Sequence, residues 1–253
     1  MGTARGFGVD IGGTGIKGCP VDIDDGVLAE ERMRVATPHP STPESVADTV
    51  TEIVDKFAWT GPVGVTLPCV VKYGTACTAA NVDKSWIGTD AQALFAEHLG
   101  RAREDVVVLN DADAAGLAEM RSGAGVGQDG LVVVLTFGTG IGSAMFVGGT
   151  LIPNTEFGHI EVDGHDAETE AAASVKDDLD LSYPEWAPRV SRYIQALENF
   201  LWPDLIIAGG GVSKKSQRWL PLLDIRTPIV AASLKNDAGI VGAATAAASG
   251  IEH

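Results

Sequence analysis

The sequence predicts an α/β protein built from two similar halves, and three observations predict it. Three runs, the continuously apolar VVVL at 106–109, and LVVVLTF at 131–137 and DLIIAGG at 204–210 with their apolar centres, read as buried strands ending in turns. Between them lie helical spacings: Val46, Val50, Ile53, Val54 and Phe57 on one face of 44–57, and Trp186, Val190, Ile194, Leu197 and Leu201 on one face of 184–201. Finally, VDIGGTGIKGCPVD (9–22) can be laid beside LTFGTGIGSAMFVG (135–148). Both read as strand, Gly-Thr-Gly turn, strand, with helices downstream, which suggests two halves facing one another across a cleft.

The elements follow in order. Residues 5–11 form a strand entering the turn GGTG, 16–22 are extended, and a third strand runs near 26–36. Pro38, Pro40 and Pro43 mark a loop, and Ser41 or Thr42 caps the helix over 44–57. A short strand returns at 61–67, and 68–88 is irregular, with Trp86 packing rather than stacking on a ligand. A helix at 89–99 precedes the strand 106–109, and another follows at 112–121. After the second glycine turn come an irregular polar stretch, NTEFGHIEVDGHD, and an acidic helical stretch near 167–178. A last helix is expected at 237–248, where Ala and Gly permit close packing. The expected division is an N-terminal lobe, 1–110, and a C-terminal lobe, 111–253, with the last helix packing back on the first lobe.

Composition removes several function classes. The chain has 253 residues, a net charge of −16, 31 glycines and 6% aromatics. So acidic a molecule opposes general binding to nucleic acid or to anionic membranes. Cys19, Cys69 and Cys77 form neither a disulfide framework nor a CxxC zinc pair, which suits a reducing cytoplasm. Neither a signal peptide nor a transmembrane span is expected.

Chemistry enters at the glycine turns. A phosphate needs several backbone N–H groups aimed at one place, and side chains obstruct that approach. Gly12, Gly13 and Gly15 make one such turn, and Gly138, Gly140 and Gly142 the other; Thr14 and Thr139 add a hydroxyl to each. Both turns lead into extended residues, so they are hairpin tips. They are not the dinucleotide fingerprint, which opens a helix, and the P-loop ending G-K-[ST] is absent. An oxidoreductase binding a dinucleotide is therefore disfavoured. Asp10 sits where it can hold Mg²⁺ through water.

Asn110-Asp111 lies at the carboxyl end of a buried strand, where open α/β sheets collect ligands. Asp111 there either caps the next helix or accepts a proton from an attacking hydroxyl. Asn110 would orient the same substrate. Glu156, His159 and Glu161 supply the acceptors and donors that vicinal hydroxyls need, and Asn81 is a loop residue suited to the same pocket.

Together, Asp10-Ile11-Gly12-Gly13-Thr14, Asn110-Asp111, Thr136-Phe137-Gly138-Thr139-Gly140 and Glu156-x-Gly158-His159 resemble the ROK family of sugar kinases and repressors. The stretches at 78–89, 109–119, 135–144, 151–162 and 202–213 are similar to the polyphosphate glucokinases within it. The resemblance implies the actin-like, hexokinase-like ATPase fold, with a duplicated ribonuclease H-like motif. It implies phosphorylation of glucose at the 6-hydroxyl, with mannose as a further sugar. The donors it implies are polyphosphate and ATP, with Mg²⁺. Asp111 takes the base role; Asn110, Glu156, His159 and Glu161 fall at sugar-binding positions. Thr136 belongs to the second tip, and Gly209, Gly210 and Gly211 match a nucleotide-side turn. Many ROK kinases carry a zinc cluster of cysteines beyond Glu-x-Gly-His; residues 162–180 hold no Cys, so no zinc is expected. The chain starts at the first phosphate strand, so the repressors' DNA-binding module is not expected.

A polyanionic donor on an acidic protein requires a local basic track. Its candidates are Lys17, Lys84, Lys214, Lys215 and Arg218. Alternatives left open are an ATP-only kinase for another hexose and a non-catalytic sugar sensor. A monomer and a homodimer both fit.

Overall fold

The computed structural model describes residues 4–250, which divide into two compact units, 4–122 with 237–250, and 123–236. The first unit begins with β1 (Arg5–Gly12), β2 (Gly15–Asp22), β3 (Val27–Leu28) and β4 (Met33–Val35). It continues with α1 (Pro43–Lys56), β5 (Val63–Leu67), β6 (Val71–Lys72), β7 (Thr75–Ala76), α2 (Ala91–Leu99), β8 (Val106–Asn110) and α3 (Asp111–Ser122). The second unit holds β9 (Leu131–Phe137), β10 (Ile141–Val147), β11 (Thr150–Ile152), β12 (Glu161–Val162) and β13 (His165–Asp166). Then come α4 (Glu168–Ala171), α5 (Ala173–Asp178), α6 (Tyr183–Leu201), β14 (Leu205–Gly209) and β15 (Ile229–Ala231). The chain returns to the first unit with α7 (Ala238–Ser249).

The two main sheets share one topology. In the first the order is β3-β2-β1-β5-β8, with β1 antiparallel to β2 and parallel to β5, and β5 parallel to β8. In the second it is β11-β10-β9-β14-β15, again a hairpin followed by parallel neighbours. The internal repeat is thus a repeat of sheet order. Its tips differ: Gly12 pairs with Gly15 across a Gly13-Thr14 turn, whereas Phe137 pairs with Ile141 around Gly138-Thr139-Gly140.

The first unit closes a helix directly onto strand backbone. A Cβ on Gly8 would lie 1.9 Å from the Ile240 carbonyl oxygen, one on Gly64 1.9 Å from that of Ala243, and one on Gly242 1.7 Å from that of Ala114. Only glycine permits α7 to sit against β1, β5 and α3 at this distance. That packing moves the expected boundary: α3 belongs to the first unit, so the chain divides after 122 rather than after 110. The second unit packs side chains instead. Phe137 meets Trp186, Tyr193 and Trp219 edge-on at centroid distances of 6.0, 6.5 and 5.5 Å.

Several local expectations are refined. Thr42 caps α1 through Ser45 N–H. The third strand is two short ones, β3 and β4, and the irregular 68–88 contains the β6–β7 hairpin and a 3₁₀ turn at Lys84–Trp86. Trp86 is fully buried against Phe95. The helical stretch near 167–178 breaks at Ala172, whose backbone is extended, into α4 and α5. No described helix is long and apolar enough to cross a membrane.

Candidate active site

In the first unit the parallel strands β1, β5 and β8 bring three segments to one end of the sheet. Asp10 pairs with Thr66 across β1–β5, and Leu67 with Asn110 across β5–β8. The Thr66 hydroxyl donates to Asp10 Oδ1 (3.2 Å) and accepts from Ile11 N–H (3.2 Å). Lys17, opposite Asp10 on β2, places Nζ 2.9 Å from Asp10 Oδ2. Gly239, in the first turn of α7, abuts the same carboxylate: a Cβ there would lie 2.9 Å from Asp10 Cγ. The tip is braced further by Thr37, whose hydroxyl donates to Gly12 O (2.5 Å), and by Arg34, which donates to Thr14 O (3.0 Å).

Asn81 joins this end of the unit. Its backbone is left-handed (φ 61°), and its Cβ lies 3.6 Å from where Gly13 would carry one. The neighbouring Ala80 N–H donates to Pro68 O. Asn110 is buried and used at both ends of its amide: Nδ2 donates to Cys69 O (3.0 Å), and Oδ1 accepts from Ala112 N–H (2.8 Å) and Asp113 N–H (3.2 Å). Asn110 is therefore the helix cap that the sequence reading offered as Asp111's alternative role, and it ties the 68–69 loop to α3. Asp111 is exposed at the first residue of α3, with Ala112 N–H 2.9 Å from Oδ1.

The second unit assembles its own cluster. Gly158 lets the 157–159 turn lie against β10, where a Cβ would come 2.1 Å from Ile141 O. Ser143 Oγ accepts from Phe157 N–H (2.9 Å) and donates to Thr155 O (2.6 Å), fixing Glu156 and His159 on that turn. His159 Nδ1 lies 3.0 Å from Asp166 Oδ2 and 3.9 Å from Glu168 Oε1. The Asp166 hydrogen bond, with Glu168 and Glu156 nearby, raises the His159 pKa. Burial raises the Glu156 carboxyl, Glu168 adds to the rise, and His159 opposes it. Glu161 is exposed on β12 opposite Asp166.

Glu168 also reaches the second tip, accepting Ile141 N–H at 3.0 Å and filling the space a Gly140 side chain would need. Ser174 grips the other side: its N–H donates to Gly138 O (3.0 Å) and its hydroxyl to Thr139 O (2.6 Å). Gly138 N–H is bound to Gly140 O within the turn (2.9 Å), so it is engaged inside the tip rather than aimed at a ligand as the sequence suggested. Parallel pairing of β9 and β14 sets Gly209 beside Thr136. Gly210 has φ 80°, and a Cβ would collide with Phe137 O at 2.2 Å, so the 209–211 turn requires glycine there. A cavity of about 380 Å³ is lined by Gly138, Thr139, Ser174, Lys176, Gly211 and Lys215, among others.

Sequence reading missed Arg34, Thr37, Thr66, Asp166, Glu168, Ser174 and Lys176. None carries a local motif. Of the basic-track candidates, Lys215 lines the second-tip cavity, while Lys17 is engaged by Asp10.

The ROK family model matches residues 6–178. This chain belongs to the ROK family. Among individual ROK proteins, the chain is 58% identical over 249 residues to a polyphosphate glucokinase of Mycobacterium tuberculosis, covering 98% of this chain and 93% of the relative. Its structure matches that of an inorganic polyphosphate/ATP-glucomannokinase from Arthrobacter sp. strain KM (TM-score 0.91, 51% identity, 97% of this chain and 99% of that one). It also matches a ROK glucokinase from Streptomyces griseus in complex with glucose and AMPPNP (TM-score 0.76, 28% identity, 95% and 98% coverage). The fold is thus the actin-like, hexokinase-like ATPase fold of the ROK sugar kinases.

Proposed function

We propose that this ROK protein is a phosphotransferase that makes glucose 6-phosphate from glucose, with inorganic polyphosphate and ATP as donors. Similarity to a polyphosphate glucokinase across 98% of the chain carries this reading. The exposed carboxylate at the end of β8 supplies the chemistry such a reaction needs. In this reading Asp111 takes the proton of the sugar 6-hydroxyl. The resulting oxygen attacks the terminal phosphorus of the donor, and the bridging P–O bond breaks, releasing ADP or a polyphosphate shorter by one unit. The Ala112 N–H holds the carboxylate in one orientation. Asn81 stands beside the first tip as a sugar contact, and Asn110 acts through Asp111 by capping α3.

Glu156 and His159 bind the sugar hydroxyls, with Glu161 and mannose use as further parts of the reading. The backbone and Thr139 of the second tip, with the 209–211 turn, hold the donor, and the first tip braces transferred phosphate. Mg²⁺ fits Asp10: Lys17 and Thr66 use two of the roughly four lone-pair sites on a carboxylate. No trio of His, Cys, Asp or Glu among the described residues forms a cage. A magnesium ion commonly takes one or two carboxylates and completes its shell with water and phosphate. When bound, it would neutralise phosphate charge. A cytoplasmic location accords with the three free cysteines.

Assays of glucose and mannose, each with ATP or polyphosphate, test the substrate reading. Asp111→Asn should lower turnover on glucose by about 10²–10⁴ with the fold intact; near-normal turnover would remove Asp111 from the base role.

A further inference from the structure

The second-tip cavity has a composition that a nucleotide site does not require. Two lysines enter it, Lys176 from α5 and Lys215 from the 3₁₀ segment Gly211–Arg218. Lys176 is largely withdrawn from solvent, its side chain only 17% exposed. It is held in place by Asp177 Oδ1 at 3.0 Å and by the Tyr183 ring, whose centroid is 5.0 Å from Nζ. Arg218 stacks on the same ring, with Cζ 4.9 Å from the centroid. Two cations thus lie on Tyr183, and a third, Lys215, lines the same cavity, where Asp177 is the one carboxylate.

Two consequences follow. In a chain of net charge −16, a polyanion needs such a local reversal of sign to approach at all. A purine, by contrast, gains most from an aromatic or apolar face. Of the two aromatics lining the cavity, Phe137 is fully buried in the core and Tyr183 already carries two cations on its ring. The cavity wall therefore favours further phosphates over a base. Lys176 is also pre-positioned by two contacts, so little side-chain freedom is lost when it meets an anion.

We propose that Lys176, stacked on Tyr183 and seconded by Lys215 and Arg218, is a specificity residue that binds the polyphosphate chain in preference to ATP. This rests on the proposed donor reading and names the group within that site that separates the two donors. The bonds made and broken in the transfer are unchanged.

The test compares the unmodified protein with Lys176→Gln and Lys176→Arg. Polyphosphate of defined length is titrated directly by calorimetry, and KM is measured for polyphosphate and for ATP at several salt concentrations. Lys176→Gln should weaken polyphosphate binding and raise its KM about tenfold, as expected for one lost charge-assisted contact. It should raise the ATP KM no more than threefold. The slope of log KM against log salt for polyphosphate should fall by about 0.7, one released counterion. Lys176→Arg should retain most of the affinity. Equal rises for both donors, or no change in polyphosphate binding, would overturn the proposal. If instead the unmodified protein binds polyphosphate with the Lys176 dependence described but transfers no phosphate to glucose, the proposed reaction fails while this inference stands.

Discussion

The two units share a strand order yet support their hairpin tips by opposite means. In the first, the braces come from the sheet itself or from its edge: Lys17 on β2, Arg34 on β4, Thr66 on β5, with Thr37 just past β4. In the second, they come from helices inserted after the hairpin: Glu168 on α4 and Ser174 on α5. The difference follows from how each unit packs its helix. Glycines let α7 lie on the backbone of β1 and β5, leaving little space beneath the first tip. The second unit is spaced by aromatic rings, and α4 and α5 occupy the room beside its tip. A shared topology therefore fixes where a tip lies in its sheet, while the size of the packing residues decides what can brace it.

The aromatic spacing is the place to break the second unit. Trp186 fills its core, and Nε1 donates to both Ala171 O and Ala172 O at 3.2 Å, which holds the α4–α5 junction. Trp186→Ala should cost about 3–5 kcal/mol in denaturant unfolding and should also raise the donor KM, because Glu168 and Ser174 sit on either side of that junction. The counterpart in the first unit is Gly64→Ala. Its Cβ has only backbone to meet, so a loss of about 3 kcal/mol is expected in the same measurement; a loss below 1 kcal/mol would show that α7 can shift at little cost.

Smaller changes sharpen the contrast. Ser174→Ala removes the hydroxyl from Thr139 O but leaves its N–H on Gly138 O, so stability should fall by about 1 kcal/mol. A donor KM that rises with an unchanged glucose KM would place that brace on the donor side. Asp166→Asn should be subtler still. The folded-state pKa of His159 is raised above 6.5, chiefly by Asp166, so the linked stability is present below 6.5 and is lost as pH rises through the raised value. Asp166→Asn should move the His159 titration, followed by NMR, to lower pH. Its stability difference from the unmodified protein should be largest in mildly acidic solution and fade toward alkaline pH.

The legible parts of this molecule are those whose cause is local. Both glycine hairpins were readable because a tight turn between apolar runs demands small residues at fixed places. Asp111 is readable because the apolar run 106–109 gives way at once to two polar residues, Asn110 and Asp111. The surroundings of Asn110 are not legible in the same way: its burial and its bonds to Cys69 O and α3 depend on a loop some forty positions away in sequence. The 167–178 stretch looked like one helix because its composition is uniform, and the extended Ala172 that splits it has no breaker residue to announce it. β15 and the division after 122 depend on pairing and packing across the chain, which no short pattern encodes.

Residue size, polarity and spacing within a few positions suffice for the paired hairpins, the strand that leads to Asp111, the Glu-x-Gly-His turn and the ROK resemblance. Packing is what makes Glu168 serve both a tip and His159, sets Asp166 against His159, and stands Lys176 over Tyr183 in the second-tip cavity. These contacts join residues from separate elements, so the distances that give them meaning exist only once the sheets and helices have packed.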